Sequence, residues 1–147
     1  MTINIKRLLF INILFFVFVT GSNAQQKDQL FKLDFLNKIP TEIDGCSGLF
    51  TYDTTSLKKK RYIIVTDLQE FAFIKVNGKQ IMLKQIQNKQ LTKMTFKTIY
   101  TGDGYTIILT ITTGKQLDIE SSLDIGTLEI LNGYYKLSIK IHGESGC

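Results

Sequence analysis

Two cysteines and one histidine are the side chains of this sequence best suited to nucleophilic chemistry. Cys46 lies in Asp-Gly-Cys-Ser-Gly, Cys147 is the last residue, and His142 is the single histidine. Catalysis by either type needs a free thiolate or a correctly placed partner group. His142 shares the solvent-side positions of the last predicted strand, and neither Gly-x-Ser-x-Gly nor His-Glu-x-x-His occurs. We therefore predict a protein that is not an enzyme and has no catalytic residues.

Carboxylates form the second candidate chemistry. Asp118, Glu120 and Asp124 lie in Asp-Ile-Glu-Ser-Ser-Leu-Asp, and Asp103 lies in Thr-Gly-Asp-Gly-Tyr. Paired carboxylates could hydrolyse glycans or bind calcium, but a dedicated calcium loop has an Asp-x-Asp-x-Asp-Gly pattern that is missing here. Solvated turn residues explain these acids more simply, so we predict neither a metal site nor a cofactor.

Basic residues are concentrated in one run, formed by Lys58, Lys59, Lys60 and Arg61. Such a run could bind heparin, lipid head groups or an acidic protein surface. It could equally protect the edge of a sheet, which is the simpler interpretation. Because aromatic and basic residues do not interleave as stacked bases would require, we expect no nucleic-acid partner.

Small polar and glycine-rich segments are where a rigid scaffold carries variable binding loops. The turn Thr-Gly-Asp-Gly-Tyr-Thr and the segment Cys-Ser-Gly-Leu-Phe-Thr-Tyr have this composition. We accordingly predict a binding rim formed by Ser47, Tyr52, Asp103 and Tyr105.

The first 24 residues have the pattern of a secretory signal peptide. Lys6 and Arg7 precede an apolar run from Leu8 to Val19, and Ser-Asn-Ala at 22–24 has the small-x-small form of a cleavage site. A run of 12 residues is too short for a membrane anchor, which needs about 20. We predict export to the periplasm or beyond the cell, with no transmembrane anchor after cleavage.

Cleavage would leave 123 of the 147 residues, and loss of Lys6 and Arg7 would reduce the net charge from +5 to +3. A chain of that length fits a single domain. We expect residues 42–147 to form that domain. Residues 25–41 are too apolar for a free tail, and we expect them to pack on it as a short helix covering Phe71, Phe73 and Met82.

Short runs rich in Val, Ile, Thr, Tyr and Phe follow Pro40, separated by turn residues. The clearest hairpin surrounds Asn77-Gly78, which would pair Ile74 with Ile81 on an apolar face and Phe73 with Met82 on the other. A second hairpin around Asn132-Gly133 would pair Ile130 with Tyr135, Leu128 with Leu137 and Gly126 with Ile139. Its polar face would pair Glu129 with Lys136.

About eight strands in sequence order, joined by short connections, predict an antiparallel meander that forms a closed or nearly closed β-barrel. With an even number of strands, the start of the first strand and the end of the last strand lie at the same end. Cys46 and Cys147 occupy these two positions, and an exported protein meets oxidising conditions. We predict that they form a disulfide, and that Ile, Leu, Val and Tyr side chains fill the barrel interior.

Three segments resemble a group of uncharacterised small exported proteins of Bacteroidota. In that group a Gly-Cys-Ser start, an Ala-Phe-x-Lys-x-Asn-Gly-Lys hairpin and a Gly-x-x-Gly-Cys end recur, as at 45–47, 72–79 and 143–147 here. The shared motifs are structural, and the resemblance implies no activity or site residues.

A weaker likeness is to periplasmic inhibitors of c-type lysozyme, which are small exported eight-stranded barrels with a disulfide. Their inhibitory loop carries Ser-Gly-x-x-Tyr, whereas here three residues separate Ser47-Gly48 from Tyr52. We expect a non-enzymatic binding or inhibitor module whose partner is another protein or a cell-envelope glycan. The alternatives are a structural envelope protein and, third, a carboxylate-type glycan hydrolase.

Overall fold

The computed structural model describes residues 31–147. The predicted signal peptide, residues 1–24, and the first part of the expected N-terminal segment lie outside this range. Within the described part of the chain, no helix has the length and apolarity needed to cross a bilayer.

Nine strands and one short helix make up the described chain. The strands are β1 (Leu33–Asp34), β2 (Ser47–Thr51), β3 (Ile64–Thr66), β4 (Phe71–Val76), β5 (Lys79–Gln90), β6 (Thr95–Gly102), β7 (Tyr105–Gln116), β8 (Ser121–Asn132) and β9 (Tyr135–Gly146). The helix, α1 (Thr54–Lys58), connects β2 to β3. Alternation of β-branched and aromatic residues with polar ones drives this strand content, because one face of each strand is buried.

Strands β2 to β9 form a closed antiparallel barrel in which each strand pairs with its neighbours in sequence, and β9 pairs with β2. The predicted eight-stranded meander is therefore confirmed. Closure gives the barrel two distinct ends. We call one the disulfide end, with loops 67–70, 91–94 and 117–120, and the other the hairpin end, with the turns at 77–78, 103–104 and 133–134.

The predicted disulfide is confirmed, since Cys46 and Cys147 are bonded. Ser47 pairs with Gly146 as the last residue pair between β2 and β9, so the two cysteines continue this ladder by one position. Their Cα atoms lie 3.9 Å apart. The bond therefore links the first and last barrel strands at the place where the sheet closes.

The first hairpin has the predicted register, with Ile74 opposite Ile81 and Phe73 opposite Met82. Asn77 and Gly78 both have positive φ, 48° and 81°, as a type I′ turn requires.

The predicted register of the second hairpin was wrong by two positions. Ile130 lies opposite Leu137 rather than Tyr135, and Leu128 lies opposite Ile139. The turn residues are Gly133 and Tyr134, and only Gly133 has positive φ, as in a type II′ turn with glycine first. A shift of two preserves the side of every side chain, so the apolar face is as predicted. Glu129 and Lys136 still form an ion pair, at 2.7 Å, but as diagonal neighbours.

The N-terminal segment packs against the barrel as an extended strand, not as the expected helix. Leu33 and Asp34 pair with Val76 and Lys75 of β4, and the Leu36 amide donates to the Tyr62 carbonyl at 2.8 Å. Beyond β3, the edge of β4 offers free backbone groups, and an extended segment satisfies them where a helix could not. Of the residues that the segment was expected to cover, Phe73 is buried and Met82 is exposed.

Apolar side chains are buried on both sides of the barrel wall. The interior cluster includes Phe50, Ile74, Leu83, Leu128 and Ile141. A smaller cluster outside the wall consists of Leu36, Leu57, Tyr62, Val65 and Phe73, so α1 and the N-terminal segment cover β3 and β4.

Candidate functional site

The four residues predicted to form one binding rim lie at opposite ends of the barrel. Ser47 begins β2 at the disulfide end, whereas Tyr52, Asp103 and Tyr105 lie at the hairpin end. The whole of β2 separates Ser47 from Tyr52, so residues that are close in sequence lie at opposite ends of this strand.

At the hairpin end, the two tyrosines hold the N-terminal segment. The Tyr52 hydroxyl donates to the Leu33 carbonyl at 3.2 Å, and its ring meets the Phe35 ring edge-on at 5.7 Å. Burial raises the pKa of Tyr52. The Tyr105 ring lies 6.0 Å from the Phe31 ring. These contacts cover the hairpin end, and we assign both side chains to the packing of that end.

Asp103 occupies the first position of the tight turn between β6 and β7. Its φ is 51°, and that of the following Gly104 is 79°. Its carboxylate accepts a hydrogen bond from the Lys79 ammonium at 2.7 Å, and this contact raises the pKa of Lys79. Asp103 is therefore engaged in an exposed ion pair between neighbouring turns.

The predicted basic run begins at Lys58, the last residue of the short helix α1, and continues beyond it. Asp53 caps this helix by accepting a hydrogen bond from the Ser56 amide at 2.7 Å, which lowers the pKa of Asp53. Lys58, Lys59, Lys60 and Arg61 are all exposed. The Arg61 guanidinium carbon lies 4.0 Å from the centre of the Phe35 ring.

Two members of the basic run also border a shallow groove of about 470 Å³ at the hairpin end. Lys60 and Arg61 line it together with Lys75 and Asp34. The Asp34 carboxylate also contacts Lys32 at 2.9 Å, and the hydrogen bond from Lys32 lowers the pKa of Asp34. The groove is thus only partly basic.

The disulfide end carries a larger open groove, which we call the seam groove because it follows the junction of β2, β9 and β8. Its volume is about 540 Å³. It is lined by Gly45, Ser47, Leu49, Asp118, Ile119, Glu120, Ser121, Glu144, Ser145, Gly146 and Cys147. Three of these residues are acidic and none is basic, so the described lining has a negative electrostatic character.

The loop at 117–120 projects beside the seam groove. Asp118 accepts hydrogen bonds from the Ser121 amide at 2.8 Å and the Glu120 amide at 2.9 Å. A hydrogen bond from the Ser121 side chain, together with those from the Glu120 and Ser121 amides, lowers the pKa of Asp118. Ile119, at the tip, is 93% exposed. The backbone of this loop is therefore held in place while the Ile119 side chain at its tip points into solvent.

Exposed apolar side chains recur on the other loops of the disulfide end. They are Leu68 on the first loop, Leu91 and Met94 with the adjacent Phe96 on the second, and Leu117 with Ile119 on the third. All three loops at this end therefore carry at least one exposed apolar side chain.

The barrel interior is not completely filled, contrary to the expectation from sequence. A cavity of about 290 Å³ lies inside the disulfide end, and we call it the mouth cavity. It is lined by Phe50, Leu68, Asn88, Phe96, Thr98, Tyr100, Leu109, Ile111, Thr113, Asp124 and Ser145. Small or polar residues such as Thr98, Thr113 and Ser145 line the cavity, and they cannot fill the space that leucine or isoleucine would.

Asp124 is the charged residue of the mouth cavity and is only 2% exposed. Its Oδ1 accepts hydrogen bonds from the Ser122 hydroxyl at 2.7 Å and the Gly114 amide at 3.3 Å. Its Oδ2 accepts a hydrogen bond from the Ser145 hydroxyl. All three donors are neutral, and no ion pair involves Asp124 within residues 31–147.

Below the cavity, Tyr100 and Thr66 form a buried polar pair. Their hydroxyl groups lie 2.9 Å apart, and the Leu68 amide also donates to the Thr66 hydroxyl at 3.0 Å. Burial raises the pKa of Tyr100. This pair connects the floor of the cavity to the loop at 67–70.

The acidic residues considered from sequence do not converge. Asp118 and Glu120 line the seam groove, Asp124 lies inside the barrel, and Asp103 is at the far end. No group of three or more potential ligands that could hold a metal occurs among the described residues. His142 lies on the outer face of β9, opposite Thr51 and Ile125.

Sequence reasoning treated Asp124 as a solvated turn residue, although the signal for its burial was available. Gly126, Leu128 and Ile130 were placed on the inward face of the second hairpin. Continuing this alternation by one and two steps makes Asp124 and Ser122 inward-facing as well.

No family model, no curated protein and no solved structure matches this chain.

Proposed function

We propose that this protein is an exported, non-enzymatic binding module that docks a partner protein at the disulfide end of its barrel. The observation that carries this proposal is the seam groove together with exposed apolar side chains on all three loops of the same end of the barrel. Exposed apolar groups that are clustered, not scattered singly, are typical of interaction surfaces.

The charge of the seam groove indicates the chemistry of the partner. Asp118, Glu120 and Glu144 line it without a basic residue among the described lining. Ile119 stands at its edge with an almost fully exposed side chain. A partner surface with basic residues around an apolar contact would complement this arrangement in charge and in hydrophobicity.

Export is supported by the disulfide and by the signal-peptide pattern of residues 1–24. Disulfides persist in oxidising compartments such as the periplasm and the extracellular space. The likeness to inhibitors of c-type lysozyme agrees with a rigid barrel that binds through one end. It also makes a c-type lysozyme the first defined partner to test.

The test is capture by the immobilised, disulfide-bonded protein from envelope extract and, separately, from solutions of c-type lysozyme. Two variants probe the groove, Ile119→Asp for apolar contact and Glu144→Lys for charge. Tyr134→Ala is the matched control, since Tyr134 is equally exposed but lies at the hairpin end. We expect the wild type and Y134A to capture the same protein and both groove variants to lose it.

Capture that both groove variants retain would place the contact elsewhere and refute the docking surface. Capture of neither a protein nor a glycan would refute the binding function itself. Capture of a glycan alone would favour the alternative partner class.

A further inference from the structure

We infer that the mouth cavity is a binding site for a small organic cation, a primary amine or guanidinium group carried on an apolar body. This inference rests on Asp124 and the cavity wall and not on the seam groove, although Leu68 and Phe96 belong both to the cavity lining and to the apolar side chains of the docking surface. The mouth cavity and the seam groove share only Ser145 among their lining residues.

Asp124 brings an unbalanced charge to the mouth cavity. A carboxylate offers about four acceptor positions, and the chain occupies three of them with two hydroxyls and one amide. These neutral donors satisfy hydrogen bonding but do not neutralise the charge. A buried charge without an opposite charge is unfavourable, and a cation brought by a ligand would remove this cost while gaining a charge-assisted hydrogen bond.

The wall of the cavity suits the apolar body of such a ligand. Phe50, Phe96, Leu109 and Ile111 give it an apolar and partly aromatic surface. The faces of aromatic rings attract organic cations that lie within about 6 Å of the ring centre. No basic side chain is present among the described lining residues, so nothing in the cavity competes with such a ligand.

The size of the cavity limits the ligand to a small molecule. A volume of about 290 Å³ is at the lower end of the range typical of small-molecule pockets, about 300 to 1,000 Å³. It suits a ligand of amino-acid size and is too small for a lipid or an oligosaccharide.

Benzylamine is a suitable probe because it combines an ammonium group with an apolar ring, and benzyl alcohol is its neutral counterpart. We expect NMR titration of the exported, disulfide-bonded protein to give a Kd for benzylamine of about 1 mM, reasonable for a fragment of this size. Benzyl alcohol should bind at least about tenfold more weakly, since it lacks the charge-assisted bond. Shifted resonances should come from residues that line the mouth cavity.

Asp124→Asn should reduce benzylamine binding by a similar factor, with Asp118→Asn as the control for an acid outside the cavity.

Because Asp124→Asn could also disturb folding, a second variant tests the same idea by adding a cation. Thr113 lies directly opposite Asp124 on the neighbouring strand and lines the cavity. Thr113→Lys should supply a tethered ammonium group to the carboxylate, and Thr113→Met adds a side chain of similar length without charge. We expect T113K to have a higher Tm than T113M and to lose benzylamine binding.

Three results would overturn the inference. The first is equal affinity for benzylamine and benzyl alcohol. The second is the absence of benzylamine binding at about 20 mM, a concentration well above the Kd expected for a fragment. The third is a lower Tm for T113K than for T113M. Loss of partner capture in the groove variants with benzylamine binding intact would separate the two proposals.

Discussion

The ring of Phe50 lies directly over the α-carbon of Gly143, its cross-strand partner where β2 meets β9. A Cβ added at Gly143 would lie 2.1 Å from Cδ1 of this ring and 2.5 Å from the Leu49 carbonyl oxygen. The missing side chain thus makes room for an aromatic ring that fills the barrel beside its covalent closure.

Gly143→Ala should therefore destabilise the protein by about 1 to 3 kcal/mol, the usual cost of overpacking a core. Urea unfolding would measure this loss. Phe50→Leu in the same background should recover part of it, because a smaller side chain relieves the contact with the ring. Strict additivity of the two single changes would show that Phe50 and Gly143 are not coupled.

The disulfide closes a loop with a sequence separation of 101 residues. In the chain-entropy account, such a crosslink stabilises a protein by about 4 to 5 kcal/mol by restricting the unfolded state. Replacing both Cys46 and Cys147 by serine should lower the urea midpoint accordingly. Mass mapping without reduction should find the Cys46–Cys147 peptide pair in the wild type. Free thiols in the wild type would contradict the disulfide, and equal urea midpoints for the two proteins would contradict its stabilising effect.

Alkaline pH should destabilise the fold through its buried tyrosines. Burial raises the pKa of Tyr52, Tyr62 and Tyr100 in the folded state above the value in the unfolded chain. The contribution of these tyrosines to the free energy of unfolding is complete below their pKa in the unfolded chain, about 10. It is lost as the pH rises through their higher pKa values in the folded state. Tm should therefore begin to fall above about pH 10 and continue to fall as the pH rises further.

Tyr100→Phe isolates one part of this effect. At pH 7 this substitution should lower the free energy of unfolding by about 1 kcal/mol, because the hydrogen bond to Thr66 is lost. Above pH 10 its Tm should fall less steeply than that of the wild type, since one buried ionisable group has been removed. Parallel Tm curves for the two proteins would contradict the assignment.

Asp67 organises the loop that brings Leu68 to the mouth cavity. Its Oδ1 accepts hydrogen bonds from the amides of Gln69, Glu70 and Phe71, each at 2.9 Å. Asp67→Ala should lower the free energy of unfolding by about 1 to 2 kcal/mol, a modest loss because the loop is exposed. It should also speed hydrogen exchange at these three amides. Asp67→Asn keeps the accepting oxygen and should retain most of the protection. Unchanged exchange in D67A would show that the carboxylate does not hold the loop.

Local sequence determined the strands and the side each residue faces. Asn77-Gly78 gave the correct turn and register, because both residues tolerate positive φ and the flanking strands alternate regularly. At Asn132-Gly133 the same dipeptide is compatible with two turns, one centred on Asn132-Gly133 and one on Gly133-Tyr134. Both preserve the inward face, so the apolar pattern could not distinguish them.

The even number of strands and the positions of Cys46 and Cys147 were also sufficient to predict the closed barrel and its disulfide. This works because, in an antiparallel meander, the end of the barrel at which each strand begins depends only on its place in the order. The extended form of residues 33–34 could not be read in this way, since it depends on backbone groups of β4 and of Tyr62 that only the folded barrel presents.

The candidate sites were decided by the tertiary structure. Ser47 and Tyr52 are close in sequence but lie at opposite ends, whereas Asp124 and Ser145 are distant in sequence and share a hydrogen bond inside the barrel. Alternation along a strand specifies whether a residue faces the barrel interior or the outside. Its position along the barrel axis depends on the length and stagger of the strands, which are set when the barrel closes. Small inward residues at one end leave a cavity only if the side chains of the surrounding strands do not fill the space. No single segment of the sequence contains that information.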